Sequence, residues 1–284
     1  MELVAQGRVA YRPGIVVDRF MCESERVAVY GRRVSDGSPI TLHARRLALA
    51  AGALNTGRIV LASAGEQRRR LPFRDNLISF VPLVDPARLG APHDPNCLPA
   101  QAVLVLESER ADPIQMTFYG VNATLWGDVA FDFPLPAPFL PTAVRALLPA
   151  LRVVQIFYPD TGEPVGGCRL ADDGALELDY APMPRGEVEA RVIRLLRRMG
   201  YLGLARLCKY PPPGSCYHFA GTVPMRRDPR HFETAPSGAL FGAPGVFVLD
   251  AATFPALPSK NLTLTIMANS RRISEPLLGA RGPT

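Results

Sequence analysis

The chain has 284 residues, 48% of them hydrophobic and 20% charged, which suits one large domain or two interleaved ones around a sizeable core. Its net charge of +6 is dispersed, and the runs Arg68-Arg69-Arg70 and Arg197-Arg198 lack interleaved aromatics, so they read as solvated surface and argue against a nucleic-acid partner. No run of about 18 apolar residues occurs and the N-terminus has no basic-then-apolar pattern, so neither a membrane span nor a signal peptide is expected. The five cysteines (22, 97, 168, 208 and 216) show no C-x-x-C spacing, which suits reduced thiols and a cytoplasmic setting.

Residues 1–49 read as strands. The runs "GRVAYRPG", "IVVDRFMC", "RVAVYGRR" and "ITLHARRLALA" are separated by turn residues at Pro13-Gly14, Ser24-Glu25 and Asp36-Gly37-Ser38. The last run passes into "LALAAGALNTGRIVLAS", a strand, a small-residue turn and a helical pattern through Leu54, Arg58, Ile59 and Leu61. Such a turn can bring backbone N–H groups near an anion or nucleotide.

Residues 76–135 alternate between apolar and polar in "NLISFVPLV", "QAVLVLES", "IQMTFYGVN" and "WGDVAFDF", the pattern of an antiparallel sheet. The proline-rich apolar stretch 133–152 reads as a packed connector, with a substrate lid or a membrane-facing patch as the alternatives. "LRVVQIFYPD" and "GALELDYAP" add two strands. Residues 186–209 are expected to be helical, with Val188, Val192, Leu195, Leu196 and Met199 on the packed face.

Two later stretches carry chemistry. "GSCYHFAGTVPM" places His218 after Tyr217, which lines a pocket or only packs. A single histidine among apolar residues is either a satisfied core group or one that handles protons. "GVFVLDAATFPALPSKNLTLTIMANSRRI" gives a buried strand ending on Asp250, a turn-rich loop, and a helix for which Asn261 is a good N-cap. A strand ending in Asp beside a helix start suits a polar cofactor, since the carboxylate accepts from hydroxyls and the helix dipole favours negative charge.

These stretches resemble the C-terminal part of the glucose–methanol–choline (GMC) family of FAD-dependent oxidoreductases. "ARRLALAAGALNTGRIVLAS" is similar to its strand and helix after the adenine-contacting sheet. "YHFAGTVPMRRDP" is similar to its catalytic-histidine segment, and "VFVLDAATFPALPSKNLTLTIMANSRRI" to its closing flavin-contacting segment. The resemblance implies an α/β plus α+β fold: an incomplete FAD-binding, Rossmann-like domain (1–75 and 211–284) interleaved with an antiparallel-sheet substrate domain (76–210). It implies oxidation of the CH–OH group of a small-molecule alcohol by hydride transfer to FAD. His218 would be the general base, since an imidazole accepts a proton near neutral pH. Asn261 would hydrogen-bond the substrate oxygen without competing for that proton. Val17, Gly52, Ala53, Asp250, Ala251, Leu262 and Thr263 fall where the family contacts its cofactor. Gly52 as a plain turn glycine, Val17 as strand core and Asn261 as a cap are the structural readings of the same residues.

The sequence departs from the family at several points. It contains no G-x-G-x-x-G turn to hold the FAD pyrophosphate, so a separate N-terminal FAD-binding polypeptide or an upstream segment is the expected partner. Leu262 stands where the family has proline, Arg226 where glycine is common and Ala252 where Ser or Gly is usual. A non-catalytic fragment or interaction subunit that kept the fold is the alternative function, and a flavin-dependent lyase is a third.

Overall fold

The computed structural model describes residues 2–66, 68–92, 100–107, 112–120, 147–182 and 185–277. The expected strand "WGDVAFDF" lies outside them, as does the stretch 133–152 up to residue 146. After a four-residue helix α1 (Glu2–Ala5), three strands form an antiparallel meander: β1 (Ile15–Cys22), β2 (Val27–Arg33) and β3 (Pro39–Ala44). "GRVAYRPG" is not a strand. Residues 7–14 are exposed and unpaired with the meander except where the Gly14 carbonyl accepts from Val34. With no neighbouring strand to bond, their β-favouring side chains do not order the backbone.

The chain then runs through β4 (Leu47–Leu49) and Gly52 into helix α2 (Ala53–Ala64). The partner of β4 comes from about two hundred residues away: β14 (Val246–Val248) lies parallel to it, Val246 opposite Leu47. Both strands are almost wholly apolar, as buried parallel strands require. Against them α2 packs Ile59, Val60 and Leu61. A second sheet has the order β11 (Leu176–Tyr180), β10 (Gly166–Leu170), β5 (Leu71–Asp75) and β13 (Phe219–Ala220), all antiparallel. Its residues Leu71, Phe73, Cys168 and Leu170 join the same core as α2, β4 and β14.

A third, five-stranded antiparallel sheet has a core of its own. Its order is β12 (Leu202–Gly203), β6 (Ile78–Val84), β9 (Leu151–Phe157), β8 (Ile114–Gly120) and β7 (Ala100–Leu106). Helix α3 (Glu187–Arg198) covers it, burying Val192, Ile193 and Leu196 against Val81, Leu83, Phe118 and Ile156. The helix is shorter than 186–209 because it stops at Met199 and Gly200. Of the expected face, Leu195 and Met199 are 44% and 63% exposed, and Ile193 takes part in the packing instead. The buried stripe is the narrower i, i+3, i+4, i+7 set of Glu189, Val192, Ile193 and Leu196. Glu189 is tolerated there because Tyr158 Oη and the backbone N–H of Gly186 donate to it. Helix α4 (Thr263–Leu277) closes the described chain. The four described cysteines are free thiols, and no helix among the described residues is long and apolar enough to cross a membrane.

Candidate active site

His218 stands immediately before β13, whose Phe219 pairs with Asp75 at the end of β5. The ladder therefore sets His218 beside the next residue of the β5 strand, Asn76, whose N–H donates to the His218 carbonyl at 3.4 Å. Their side chains also meet: His218 Nδ1 is 3.1 Å from Asn76 Oδ1. Asn76 is fully buried. Its amide nitrogen donates to the carbonyl of Tyr158 at 2.8 Å, and the carbonyls of Leu257 and Pro258 lie at 3.5 and 3.4 Å. Only an NH₂ group suits three carbonyls, so the amide orientation is set by its surroundings and Oδ1 faces the imidazole. An oxygen acceptor at Nδ1 calls for a hydrogen on Nδ1. The neutral ring then carries its lone pair on Nε2.

The imidazole is half-buried, and the Phe157 ring stacks on it with centroids 5.6 Å apart and planes at 28°. Burial pushes its pKa below the usual histidine value, because an apolar surrounding disfavours the cation. The neutral, proton-accepting form is thus the one held at neutral pH. Neighbouring Tyr217 does not pack; it is 84% exposed.

The closing segment reaches the same place through Asn76, which contacts the carbonyls of Leu257 and Pro258, four and three residues before Asn261. Asn261 itself is exposed, and among the described residues its side chain has no hydrogen-bond partner. His218 is bonded to Asn76, not to Asn261. Nor is Asn261 the N-cap. The Leu262 carbonyl accepts from Ile266 N–H at 2.8 Å and the helix proper begins at Thr263, so Leu262 holds the cap position. Its side chain is 6% exposed and packs into the first core. Thr263 is exposed.

Asp250 ties the two halves of the first core together. Its Oδ2 accepts from Gly52 N–H at 2.9 Å and Thr56 Oγ1 at 2.6 Å, and its Oδ1 from Ala252 N–H at 2.9 Å. Burial pushes this carboxyl up, and the three donors oppose the shift. Both oxygens are thus engaged by protein donors. Ala251 is buried, and its carbonyl accepts from Gly221. The Ala53 carbonyl accepts from Thr222 Oγ1. The Val17 carbonyl, the backbone group expected near an adenine, accepts from Arg58 Nη2 at 2.7 Å. Gly52 has φ +83°, and nothing lies within 4 Å of where a Cβ would stand. Only glycine adopts that conformation readily, and the space beside it is open at the start of α2.

The residues present fit the ring end of a flavin. They offer a half-buried neutral imidazole, an open-sided glycine before one helix, and a second helix start flanked by exposed Asn261 and Thr263. They do not include a glycine-rich cradle for the pyrophosphate. Sequence reasoning missed Asn76. The signal was Arg74-Asp75-Asn76, a polar triplet between two apolar strand runs, where buried polar groups need a specific partner.

Residues 209–270 match the GMC oxidoreductase family in its C-terminal domain. Paromamine 6'-oxidase from Streptomyces fradiae is 31% identical over 150 residues, covering 49% of this chain and 28% of that protein. The crystal structure of pyridoxine 4-oxidase from Mesorbium loti superposes with a TM-score of 0.64 at 17% identity, over 94% of this chain and 58% of that one. The chain therefore spans well under two thirds of either relative. The superposition establishes the shared fold, and the family match shows that residues 209–270 are similar to the C-terminal domain of GMC oxidoreductases.

Proposed function

We propose that this chain supplies the base and the closing loop of a flavin-dependent oxidoreductase acting on the CH–OH group of a small alcohol. The observation that carries the reading is the contact between buried Asn76 and His218. It leaves Nε2 as the acceptor, and the half-buried, uncharged ring is ready to take the hydroxyl proton as the C–H bond breaks. Asn261, exposed just before α4, would bond the substrate oxygen through its amide. Thr263 and Leu262 at the start of α4, and Ala53 at the start of α2, would face the cofactor with backbone donors, and Gly52 would let it approach on its open side. Asp250 and Ala251 would hold the closing strand against it. A bound FAD would supply the hydride acceptor.

A further polypeptide segment, joined or separate, would complete the cofactor site. Two features support this. The β4–β14 pair is a parallel sheet of two strands, whereas parallel sheets are ordinarily larger and covered. On α4, Leu264 and Met267 are 79% and 63% exposed.

The test is anaerobic flavin reduction by an alcohol panel, using the chain together with FAD and the polypeptide encoded beside it. The expected result is a yellow complex bleached by alcohol, with reduction slowed about 100-fold or more in His218→Ala, the scale of lost general-base catalysis. A complex that stays colourless, or one bleached at an unchanged rate by the variant, overturns the reading.

A further inference from the structure

Asn76 holds the imidazole of His218 by one edge. A single hydrogen bond does not fix the ring, because the torsion that carries an imidazole has broad minima. The second constraint comes from β9. Its last residue, Phe157, is 9% exposed and lies against one face of the imidazole, centroids 5.6 Å apart. β9 is an interior strand, so the backbone of Phe157 is paired on both sides, with Ile78 of β6 and with Gln115 of β8. Its ring is packed among Ile78, Phe80 and Cys216. The surface that His218 rests on is therefore itself held from several directions.

The end of β9 acts on His218 twice. Tyr158, directly after Phe157, supplies the carbonyl that accepts from the Asn76 amide at 2.8 Å and so turns Oδ1 toward the imidazole. Phe157 sets the tilt of the ring that meets this oxygen. Between them they occupy the Nδ1 edge and one face. Nε2 has no hydrogen-bond partner among the described residues. A flat aromatic face suits this task, since ring pairs have preferred tilts as well as distances, whereas an aliphatic side chain of similar bulk fixes only the distance.

We infer that Phe157 is a positioning residue for the base: its face holds the imidazole plane at the angle where Nδ1–H meets Asn76 and Nε2 is presented to the substrate hydroxyl. The inference rests on the reading of His218 as the base. A ring turned out of that plane would bend its bond to Asn76 away from linearity and weaken it. With that bond goes the preference for hydrogen on Nδ1, and the lone pair on Nε2 no longer points at the reacting proton. Misplacement by about 1 Å can cost about 100-fold in rate.

The test uses Phe157→Leu, which keeps an apolar side chain and loses the flat face. It begins with NMR of the full chain without flavin, the His218 signals being assigned with His218→Gln. In the native chain the carbon-bound protons of the imidazole are expected upfield of ordinary histidine positions, through the ring current of Phe157. In Phe157→Leu the nitrogen-15 shifts are expected to move toward the Nε2–H form. In the flavin-loaded complex the same variant is expected to slow reduction at saturating alcohol about tenfold or more. The alcohol concentration for half-maximal rate is expected to change less than about twofold, because orientation of the base and not binding is lost. Native ring protons at ordinary positions, or a variant with the native nitrogen-15 signature, overturn the inference. The first of these needs no variant, so it holds even if Phe157→Leu fails to fold. A complex that no alcohol bleaches refutes the proposed function instead, and the two failures are told apart because the NMR readings require no flavin.

Discussion

The two apolar cores are built in opposite ways. The core around α3 and the five-stranded sheet takes its buried residues from 81–208. The core around α2 and β14 draws on Phe20, Leu71, Cys168, Val223, Val248 and Leu262, from nearly the whole chain. Its only parallel pair among the described strands joins residues about two hundred positions apart. The first kind of core is assembled from neighbours, the second by closing long loops. The candidate active site lies where they meet. Asn76 follows the last residue of a strand in one core and precedes a strand of the other, and its amide bonds reach Tyr158 on one side and the closing segment on the other. Chemistry at this seam depends on both cores being in register.

The largest effect expected on this contrast comes from pH. The Asp75 carboxyl rises from 3.8 to about 6 in the folded chain, chiefly through burial. A raised folded value means that the associated stability is fully present below the unfolded value and is lost as pH rises through about 6. The loss is on the order of 3 kcal/mol, and it falls on the sheet of the long-range core. Chemical denaturation of the native chain and Asp75→Asn between about pH 4 and pH 7 measures it. The native chain is expected to lose more stability over that window than the variant, and parallel curves would place the titration elsewhere.

Close packing of distant segments gives the next effect. A Cβ on Gly57 of α2 would stand 2.9 Å from Thr222 Cβ, where the segment after β13 crosses the helix. Gly57→Ala is expected to destabilise by about 2 kcal/mol through overpacking, despite the better helix propensity of alanine. A stabilised variant in the same denaturation assay would show that helix and segment can move apart. The smallest effect belongs to the local core. Tyr158→Phe removes the hydrogen bond to the buried Glu189 carboxylate and is expected to cost about 1.5 kcal/mol, the low end for a bond to a charged group. Its backbone carbonyl still receives Asn76, so flavin reduction is expected to hold its native rate.

The same contrast decides what could be read from the residues. The strands of the local core were legible as period-2 alternation: β6 and β8 fall within the expected runs, and β7 begins one residue before its own. Helix α2 and the strand before Asp250 were legible as well, and the likeness of the closing segments to GMC oxidoreductases agrees with the match over 209–270. Contacts between distant segments were not legible. Nothing near Asp250 indicates that its oxygens are taken by Gly52, Thr56 and Ala252. Nothing near His218 indicates that its partner is Asn76, because 142 residues separate them. Local pattern reports which face of an element is buried, whereas the donor that meets a particular acceptor depends on how separate elements pack. Asn261 shows the same limit at short range: its type suits a cap, but the helix starts at Thr263 with buried Leu262 in the cap position.

The central claim is that Asn76 holds His218 as the neutral ring with hydrogen on Nδ1, leaving Nε2 to accept a proton. Nitrogen-15 NMR of the imidazoles, with His218→Gln to assign the resonance, reads this directly. The account predicts a neutral His218 at pH 7 with its hydrogen on Nδ1, and a shift toward the Nε2–H form in Asn76→Ala. A charged ring at that pH, or a native ring already protonated on Nε2, would contradict it.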